Sequence, residues 1–173
     1  MTAYRRLRHP GGTYFFTLAL QDRRSTALTS RVDQLRHAFF QTLSERPAHV
    51  DAIVILPDHL HCIWTLPEGD TDFSTRWRLI KARFSAALPR GQRRASLQRK
   101  GERGLWQRRF WEHAIRDDAD YDAHIRYCWG NPVKHGLAAR ACDWPYSSIH
   151  RDIREGWVAP EWAGHVPDGQ FGE

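Results

Sequence analysis

The sequence predicts an α+β fold, a ferredoxin-like antiparallel sheet with helices packed mainly on one face. Short apolar segments rich in β-branched and aromatic residues alternate with longer segments of helical periodicity, in the order strand, helix, strand, strand, helix, strand, helix. That order is typical of an α+β domain. The chain has 173 residues, which fits a single domain, and no repeat or low-complexity linker divides it.

The first half of the chain accounts for three strands and two helices. Residues 13–20 form an apolar run that predicts a buried strand. Apolar residues at helical spacing between Ser30 and Pro47 predict a helix. Residues 50–56 and 59–66 predict two further strands, because Pro57 and Asp58 interrupt the apolar run between them. A second helical pattern follows Ser74, which we expect to cap that helix.

The second half contains a basic loop, a further strand, a helix and an acidic tail. Residues 89–104 carry almost no apolar side chain, which predicts a mobile basic loop, and residues 105–115 are aromatic and extended. A helix begins at Asp118 or Asp120 and runs to about Asn131, because the following proline disfavours helical geometry at that residue. Residues 155–173 hold four acidic residues and no Lys or Arg.

Composition excludes several classes of protein. No run approaches the roughly 18 apolar residues that a membrane-spanning helix needs, so we expect no membrane partner. The arginine-rich N-terminus lacks the apolar run of a signal peptide, which favours the cytoplasm. The cysteines, at positions 62, 128 and 142, lack the spacing of a zinc site or a disulfide framework.

Charge is concentrated in one segment. The net charge is +6, yet residues 76–116 alone hold thirteen Lys and Arg against two acids. A concentrated basic segment is typical of a nucleic-acid partner, although a solvated surface gives the same pattern. Tryptophans interleave with these residues, but such tryptophans are more often core than base-stacking platforms. The candidate DNA-binding residues are Arg5, Arg6, Arg8, Arg76, Arg78, Lys81, Arg83, Arg108 and Arg109.

Two short patterns carry potential chemistry. His59 and His61 are two apart on a predicted strand, so both imidazoles project from the same face and can bind one divalent metal. Tyr127 and Asn131 are four apart on a predicted helix, which places a phenol and an amide on one face. The phenol can act as a nucleophile and the amide oxygen as a metal ligand. A buried tyrosine with a hydrogen-bonded hydroxyl is the structural alternative.

These patterns lie within longer motifs that resemble a known family. The motifs are YRRLRHPGGTYFFTLAL (4–20), PDHLHCIWTLPEGDTDFSTRW (57–77), WQRRFWEHAIRDDADY (106–121), HIRYCWGNPVKHG (124–136) and DWPYSSIHR (143–151). They resemble the REP-associated tyrosine transposases, which are relatives of the single-tyrosine HUH transposases of bacterial insertion sequences. The resemblance extends from residue 4 to about residue 162, with the motifs in the family's order.

The resemblance implies a fold and a set of site residues. The fold is that of an HUH endonuclease, His59 and His61 are ligands of Mg²⁺ or Mn²⁺, and Tyr127 is the nucleophile. Asn131 is the third ligand, at a position where the insertion-sequence relatives place Gln. Apart from the resemblance, His113 could coordinate and is kept as a rival third ligand, although it matches a family position without a ligand role, and Tyr121 is the next candidate nucleophile.

The resemblance also implies a substrate and a reaction. The substrate is single-stranded DNA folded into hairpins, the repetitive extragenic palindromes (REP elements), flanked by a short guide sequence. Tyrosine attack would leave a 5′-phosphotyrosine and a free 3′-OH. The protein would be bacterial, cytoplasmic and nucleoid-associated, acting in transposition and DNA recombination as a monomer or homodimer. A non-catalytic hairpin-binding protein with a structural or regulatory role is the alternative. We further expect the acidic tail to damp activity by competing with DNA.

Overall fold

Four antiparallel strands form one sheet in the order β2-β3-β1-β4. The computed structural model describes residues 9–89, 104–162 and 171. The strands are β1 (Thr13–Ala19), β2 (His49–Ile55), β3 (His59–Thr65) and β4 (Trp111–Ala114). This order, with helices after β1 and β3, is the ferredoxin-like arrangement. The predicted fold class is therefore confirmed.

Helices cover both faces of the sheet. They are α1 (Ala27–Ser30), α2 (Val32–Glu45), α3 (Phe73–Ala87), α4 (Asp118–Lys134) and α5 (Ile149–Arg154), with a 3₁₀ turn at Ala141–Asp143. α2 and α3 pack on one face, and α4 packs on the other together with α5. The expectation that helices lie mainly on one face thus holds for α2 and α3, and α4 departs from it.

The central strands explain why both faces are covered. Alternate residues of a strand point to opposite faces. In β1, Tyr14 and Phe16 belong to the core beneath α2 and α3, whereas Phe15 belongs to the core beneath α4. In β3, Trp64 and Ile63 divide in the same way. A sheet that is apolar on both faces needs cover on both.

The helix termini differ from the sequence-based expectations at two points. The side chain that caps α3 is Asp72, not Ser74, and it accepts a hydrogen bond of 3.0 Å from the backbone of Thr75. α4 does not end at Asn131 but continues through Pro132 to Lys134. Proline removes one backbone donor near the end of a helix. The inner side of this last turn is buried, and that burial offsets the loss.

Other expectations have mixed outcomes. Most of the predicted basic loop (90–103) and most of the acidic tail (163–170, 172 and 173) lie outside the described residues. Cys62 and Cys128 are buried thiols whose pKa values burial raises, as expected for structural cysteines. Of the helices in the described parts of the chain, none has the length and apolarity to cross a membrane.

Candidate active site

The paired histidines lie on the central strand β3, on the face that α4 covers. His59 is 2% exposed and His61 is fully buried. Their ring centroids are 5.1 Å apart with an interplanar angle of 84°. β3 pairs with β1, so that His61 lies opposite Thr17. The predicted convergence of the two imidazoles on one point is therefore observed.

Hydrogen bonds fix the tautomer of both rings. Nδ1 of His59 lies 2.8 Å from a carboxylate oxygen of Asp58, and Nδ1 of His61 lies 2.9 Å from the hydroxyl of Thr17. A carboxylate accepts, so Nδ1 of His59 donates. The single hydroxyl hydrogen of Thr17 is donated to the carbonyl of Phe171 over 2.9 Å. Thr17 therefore accepts from His61, so Nδ1 is the donating nitrogen of both imidazoles.

This donor set fits a divalent metal ion. Metal-binding histidines usually donate their other ring nitrogen to a carboxylate or another acceptor, as both rings do here. With a metal–nitrogen distance of about 2.1 Å, two imidazoles on one ion have centroids roughly 5 Å apart. The observed 5.1 Å matches that requirement. Asn131, which is fully buried on α4, can add an amide oxygen as a third ligand.

Tyr127 lies directly against the histidine pair. It is 1% exposed, and its ring centroid is 5.1 Å from that of His61 at an interplanar angle of 76°. The Nζ atom of Lys134 donates a hydrogen bond of 3.0 Å to its Oη atom. The fold thus brings the candidate nucleophile and the two histidines, which are 68 and 66 residues apart from it in sequence, into one site.

One stripe of α4 presents the polar side chains. Residues spaced three or four apart lie on the same side of a helix. The stripe consists of Asp120, His124, Tyr127, Asn131 and Lys134. Lys134 was not predicted from the sequence, although its spacing of seven residues from Tyr127, two helical turns, was a usable signal. A role at the site was likewise not predicted for His135, whose ring centroid is 5.1 Å from that of His59.

Tyr121 is poorly suited to the role of nucleophile. Its hydroxyl donates to a carboxylate oxygen of Asp51, a residue of β2, over 3.3 Å. Burial and the nearby Asp51 charge raise the pKa of Tyr121 to about 12. A phenol that ionises less readily is a weaker nucleophile at neutral pH. Tyr127 is therefore the better placed of the two tyrosines.

His113 belongs to a second polar group rather than to the histidine pair. Its Nε2 atom lies 2.8 Å from a carboxylate oxygen of Asp120, and Arg116 donates to the same oxygen from its backbone and its side chain. Burial alone would raise the pKa of Asp120, but these hydrogen bonds outweigh it and lower the pKa to about 2.

His113, Asp120 and His124 have ligand atoms close enough together to hold a metal. Arg116, however, already neutralises the Asp120 carboxylate. We therefore interpret the group as an ion-pair network that ties β4 to the start of α4. On this interpretation His113 belongs to the ion-pair network, and the structure gives no reason to prefer it over Asn131 as the third ligand.

Phe171 covers the ring of Tyr127. The two rings stack with centroids 3.8 Å apart and an interplanar angle of 17°. Phe171 also meets His124 edge-on at 5.0 Å, and its carbonyl accepts the hydrogen bond from Thr17. An apolar residue of the tail, rather than one of its acids, therefore contacts the site in the described part of the chain.

Two of the candidate DNA-binding residues serve the fold. The prediction for Arg76 is wrong, because this residue is 2% exposed. Its guanidinium donates to the carbonyls of Arg46, Pro47 and Asp72 and to the carboxylate of Asp70. Buried donors with these partners cannot reach a phosphate. Arg83 joins α3 to α2 through Thr42 and Glu45.

The other described candidates lie near one end of the sheet. Arg78, Arg108 and Arg109 are exposed, and Lys81 donates to the carbonyl of Gln107 over 2.7 Å. The backbone of Gln107 in turn bonds Ala19, the β1 residue opposite His59. Arg108 and Arg109, which follow Gln107, therefore lie toward the His59 end of β3, whereas Arg78 and Lys81 belong to α3, on the other face of the sheet. Arg5, Arg6 and Arg8 lie outside the described residues.

A ferredoxin-like sheet with paired histidines beneath a helix that carries a buried tyrosine is the arrangement expected of a tyrosine transposase. No protein-family model matches the chain. It is 48% identical over 173 residues to the REP-associated tyrosine transposase of Escherichia coli, covering 100% of this chain and 98% of that protein. It is 45% identical over 170 residues to a Haemophilus influenzae protein provisionally given the same name, covering 97% and 96%.

A solved structure of a REP-associated tyrosine transposase bound to a REP hairpin superposes with a TM-score of 0.87 at 47% identity, covering 100% of this chain and 98% of that chain. The chain belongs to the REP-associated tyrosine transposases. It is therefore an enzyme of the tyrosine transposase kind.

Proposed function

We propose that the protein is a metal-dependent single-stranded DNA endonuclease and strand transferase that acts on REP hairpins through a 5′-phosphotyrosine intermediate. The observation that carries this proposal is the position of Tyr127, whose ring packs on His61 and whose hydroxyl bonds Lys134. A tyrosine held between an imidazole pair and a cation can attack a phosphodiester, because a phosphate can lie beside the Lys134 ammonium and a metal ion that the imidazoles would hold.

The reaction exchanges one phosphodiester for another. Oη of Tyr127 forms a bond to the scissile phosphorus, the bond from phosphorus to the 3′-oxygen breaks, and the proton lost by the phenol balances the proton gained by the 3′-oxygen. The covalent link preserves the energy of the broken bond. A second 3′-OH can therefore reverse the step and join a new strand without ATP.

His59, His61 and Asn131 would hold Mg²⁺ or Mn²⁺. When bound, such an ion neutralises a non-bridging phosphate oxygen and helps to align the phosphate. Asp58 and Thr17 keep Nε2 of each imidazole turned toward that position. Phe15, stacked on His61 at 5.4 Å, and Tyr127 close the apolar side of the site against water.

The substrate follows from family membership and charge. A relative was solved bound to a REP hairpin. We propose that this chain also binds such hairpins, together with a short flanking guide sequence, in the bacterial cytoplasm at the nucleoid. The exposed residues Arg108 and Arg109 would contact phosphates beside the site, and Arg78, Lys81, Arg5, Arg6 and Arg8 would add further phosphate contacts. Either a monomer or a homodimer is compatible with this arrangement.

A second candidate function rests on Phe171. Because this ring covers Tyr127, the described conformation also fits a protein that binds hairpins without cutting them. Such a protein would act as a structural or regulatory factor. The tail and the rest of the domain, 1–173, would then work as one binding unit.

Detection of a covalent DNA–protein adduct distinguishes the two functions. The purified protein is incubated with a labelled single-stranded REP hairpin from its own genome, with Mg²⁺ or Mn²⁺, and the mixture is run on a denaturing protein gel. We expect a protease-sensitive DNA–protein band that requires the metal and disappears in Tyr127→Phe, while hairpin binding persists. Tight binding with no adduct in either metal would favour the binding protein.

A further inference from the structure

Lys134 contacts the oxygen atom that would react. Its Nζ atom lies 3.0 Å from Oη of Tyr127 and 4.8 Å from the centroid of that ring. The shorter distance to oxygen places the ammonium beside the hydroxyl rather than over the face of the ring. The contact is therefore a charge-assisted hydrogen bond to a lone pair of Oη.

The contact between Lys134 and Tyr127 follows from the geometry of α4, which carries both residues. Tyr127 and Lys134 are seven residues apart, which is close to two complete turns, so their side chains emerge from the same side of the helix. α4 continues through Pro132 to reach Lys134 as its last residue. The unexpected last turn of the helix is thus what brings the ammonium to the nucleophile.

We propose that Lys134 is a catalytic residue that stabilises the Tyr127 oxygen when it carries negative charge; this inference rests on the strand-transfer function proposed above. An ammonium is a fixed positive charge that needs no proton transfer of its own to act. It favours the partly anionic oxygen during attack on the phosphate. It favours the same oxygen when a 3′-OH displaces it from phosphorus, so one residue assists both cleavage and joining.

The proton balance of the step is unchanged by Lys134. During cleavage the phenolic proton passes to solvent, the oxygen–phosphorus bond forms, and the departing 3′-oxygen takes a proton from solvent. During joining each transfer runs in reverse. Lys134 keeps all its protons and supplies only charge and one hydrogen bond.

Two simpler roles would also place a lysine here. A cation in the last turn of a helix interacts favourably with the helix dipole, which would make Lys134 a stabilising residue only. A cation near the site could instead bind a DNA phosphate, which would make it an affinity residue only. Both roles predict effects on stability or binding, whereas the proposed role predicts an effect on the rate of chemistry.

The test compares three variants of the full chain. Lys134→Met removes the charge and keeps the length of the side chain, and Lys134→Arg keeps the charge. Arg126→Gln is the matched control, because it removes one positive charge from the same helix at the neighbour of Tyr127, where Arg126 pairs with Asp122. For each variant we would measure the hairpin dissociation constant, the rate of adduct formation at saturating hairpin, and the rate of joining from the isolated adduct.

We expect Lys134→Met to slow both adduct formation and joining by about 100-fold, the loss typical for one donor to a developing oxyanion, with the dissociation constant within about twofold of wild type. Lys134→Arg should recover most of the rate, and Arg126→Gln should leave it unchanged. Rates within about threefold of wild type in Lys134→Met, or a loss confined to hairpin affinity, would overturn this inference and leave the proposed strand-transfer function in place.

A rate loss in Arg126→Gln equal to that in Lys134→Met would also overturn the inference, because it would reveal a general charge effect. An absence of adduct in the wild-type protein would overturn the strand-transfer function, and the inference with it. Thermal unfolding of each variant shows that it is folded; if Lys134→Met does not fold, Lys134→Gln replaces it and carries the same expectation.

Discussion

Asp120 links β4 to the start of the helix that carries Tyr127, and its replacement by Asn gives a quantitative test of that link. The carboxylate accepts hydrogen bonds from His113 and Arg116, and it is 7% exposed in its side chain. Asn keeps the shape of Asp but removes the charge on which both partners depend. We expect Asp120→Asn to destabilise the fold by an amount that changes with pH.

The magnitude follows from the pKa of Asp120, which falls from 3.8 to about 2 on folding. Each unit is worth about 1.4 kcal/mol, so ionised Asp120 contributes about 2 kcal/mol at pH 7. A lowered pKa means that the folded state holds the proton less tightly than the unfolded state. The contribution is therefore complete well above pH 4 and is lost as the pH falls toward 2, with roughly half remaining at pH 3.

Urea denaturation of the wild type and of Asp120→Asn at pH 7 and pH 3 measures this contribution. The difference in unfolding free energy should be about 2 kcal/mol at pH 7 and about 1 kcal/mol at pH 3. Asp118→Asn is the matched control, because Asp118 is exposed in the same helical turn and should change stability by no more than about 0.5 kcal/mol. A difference for Asp120→Asn that is the same at both pH values would refute the reasoning.

Three further predictions concern the basic residues and the tail. Arg76→Met should lower the unfolding free energy by about 3 kcal/mol in urea denaturation, because it leaves several buried acceptors without donors, and hairpin affinity of the folded protein should not change. Phe171→Ala should raise the rate of adduct formation by about 2- to 10-fold, since an aromatic pair is worth about 0.5–1.5 kcal/mol; an unchanged rate would mean that the stack does not limit access to Tyr127. Hairpin affinity should fall steeply as the salt concentration rises. Arg108→Gln and Arg109→Gln should each reduce the slope of log affinity against log salt concentration by about 0.7–0.9. A slope equal to that of wild type would show that the residue makes no phosphate contact.

The sheet was predictable because its strands have strong local signals. Residues 13–20 form a long apolar run, and Pro57 with Asp58 separates two such runs. The same apolar run held evidence for cover on both faces, since Phe15 is as apolar as Tyr14 and Phe16 and must also be buried. Helix placement depended on that two-faced pattern, which the order of elements alone does not reveal.

That His59 and His61 share one face of a strand, and Tyr127 and Asn131 one face of a helix, could be predicted because strand and helix periodicity fix which side chains point the same way. Arg76 could not, because a buried arginine and a DNA-binding arginine look alike in sequence. Its role depends on the carbonyls of Arg46 and Pro47, just after α2, which only the tertiary fold brings near. The contacts of Phe171 were equally hidden, since a lone aromatic in an acidic tail has no periodic pattern.

The measurement that tests the central claim most directly is the identity of the residue that becomes linked to DNA. The adduct formed on a REP hairpin is digested with nuclease and trypsin, and the peptide that retains a nucleotide is identified by mass spectrometry. Trypsin separates Tyr127, in residues 127–134, from Tyr121, in residues 117–126, so each peptide contains one tyrosine. We expect the nucleotide on Tyr127; a nucleotide on Tyr121, or on any other residue, would contradict the assignment of the nucleophile on which the proposed mechanism depends.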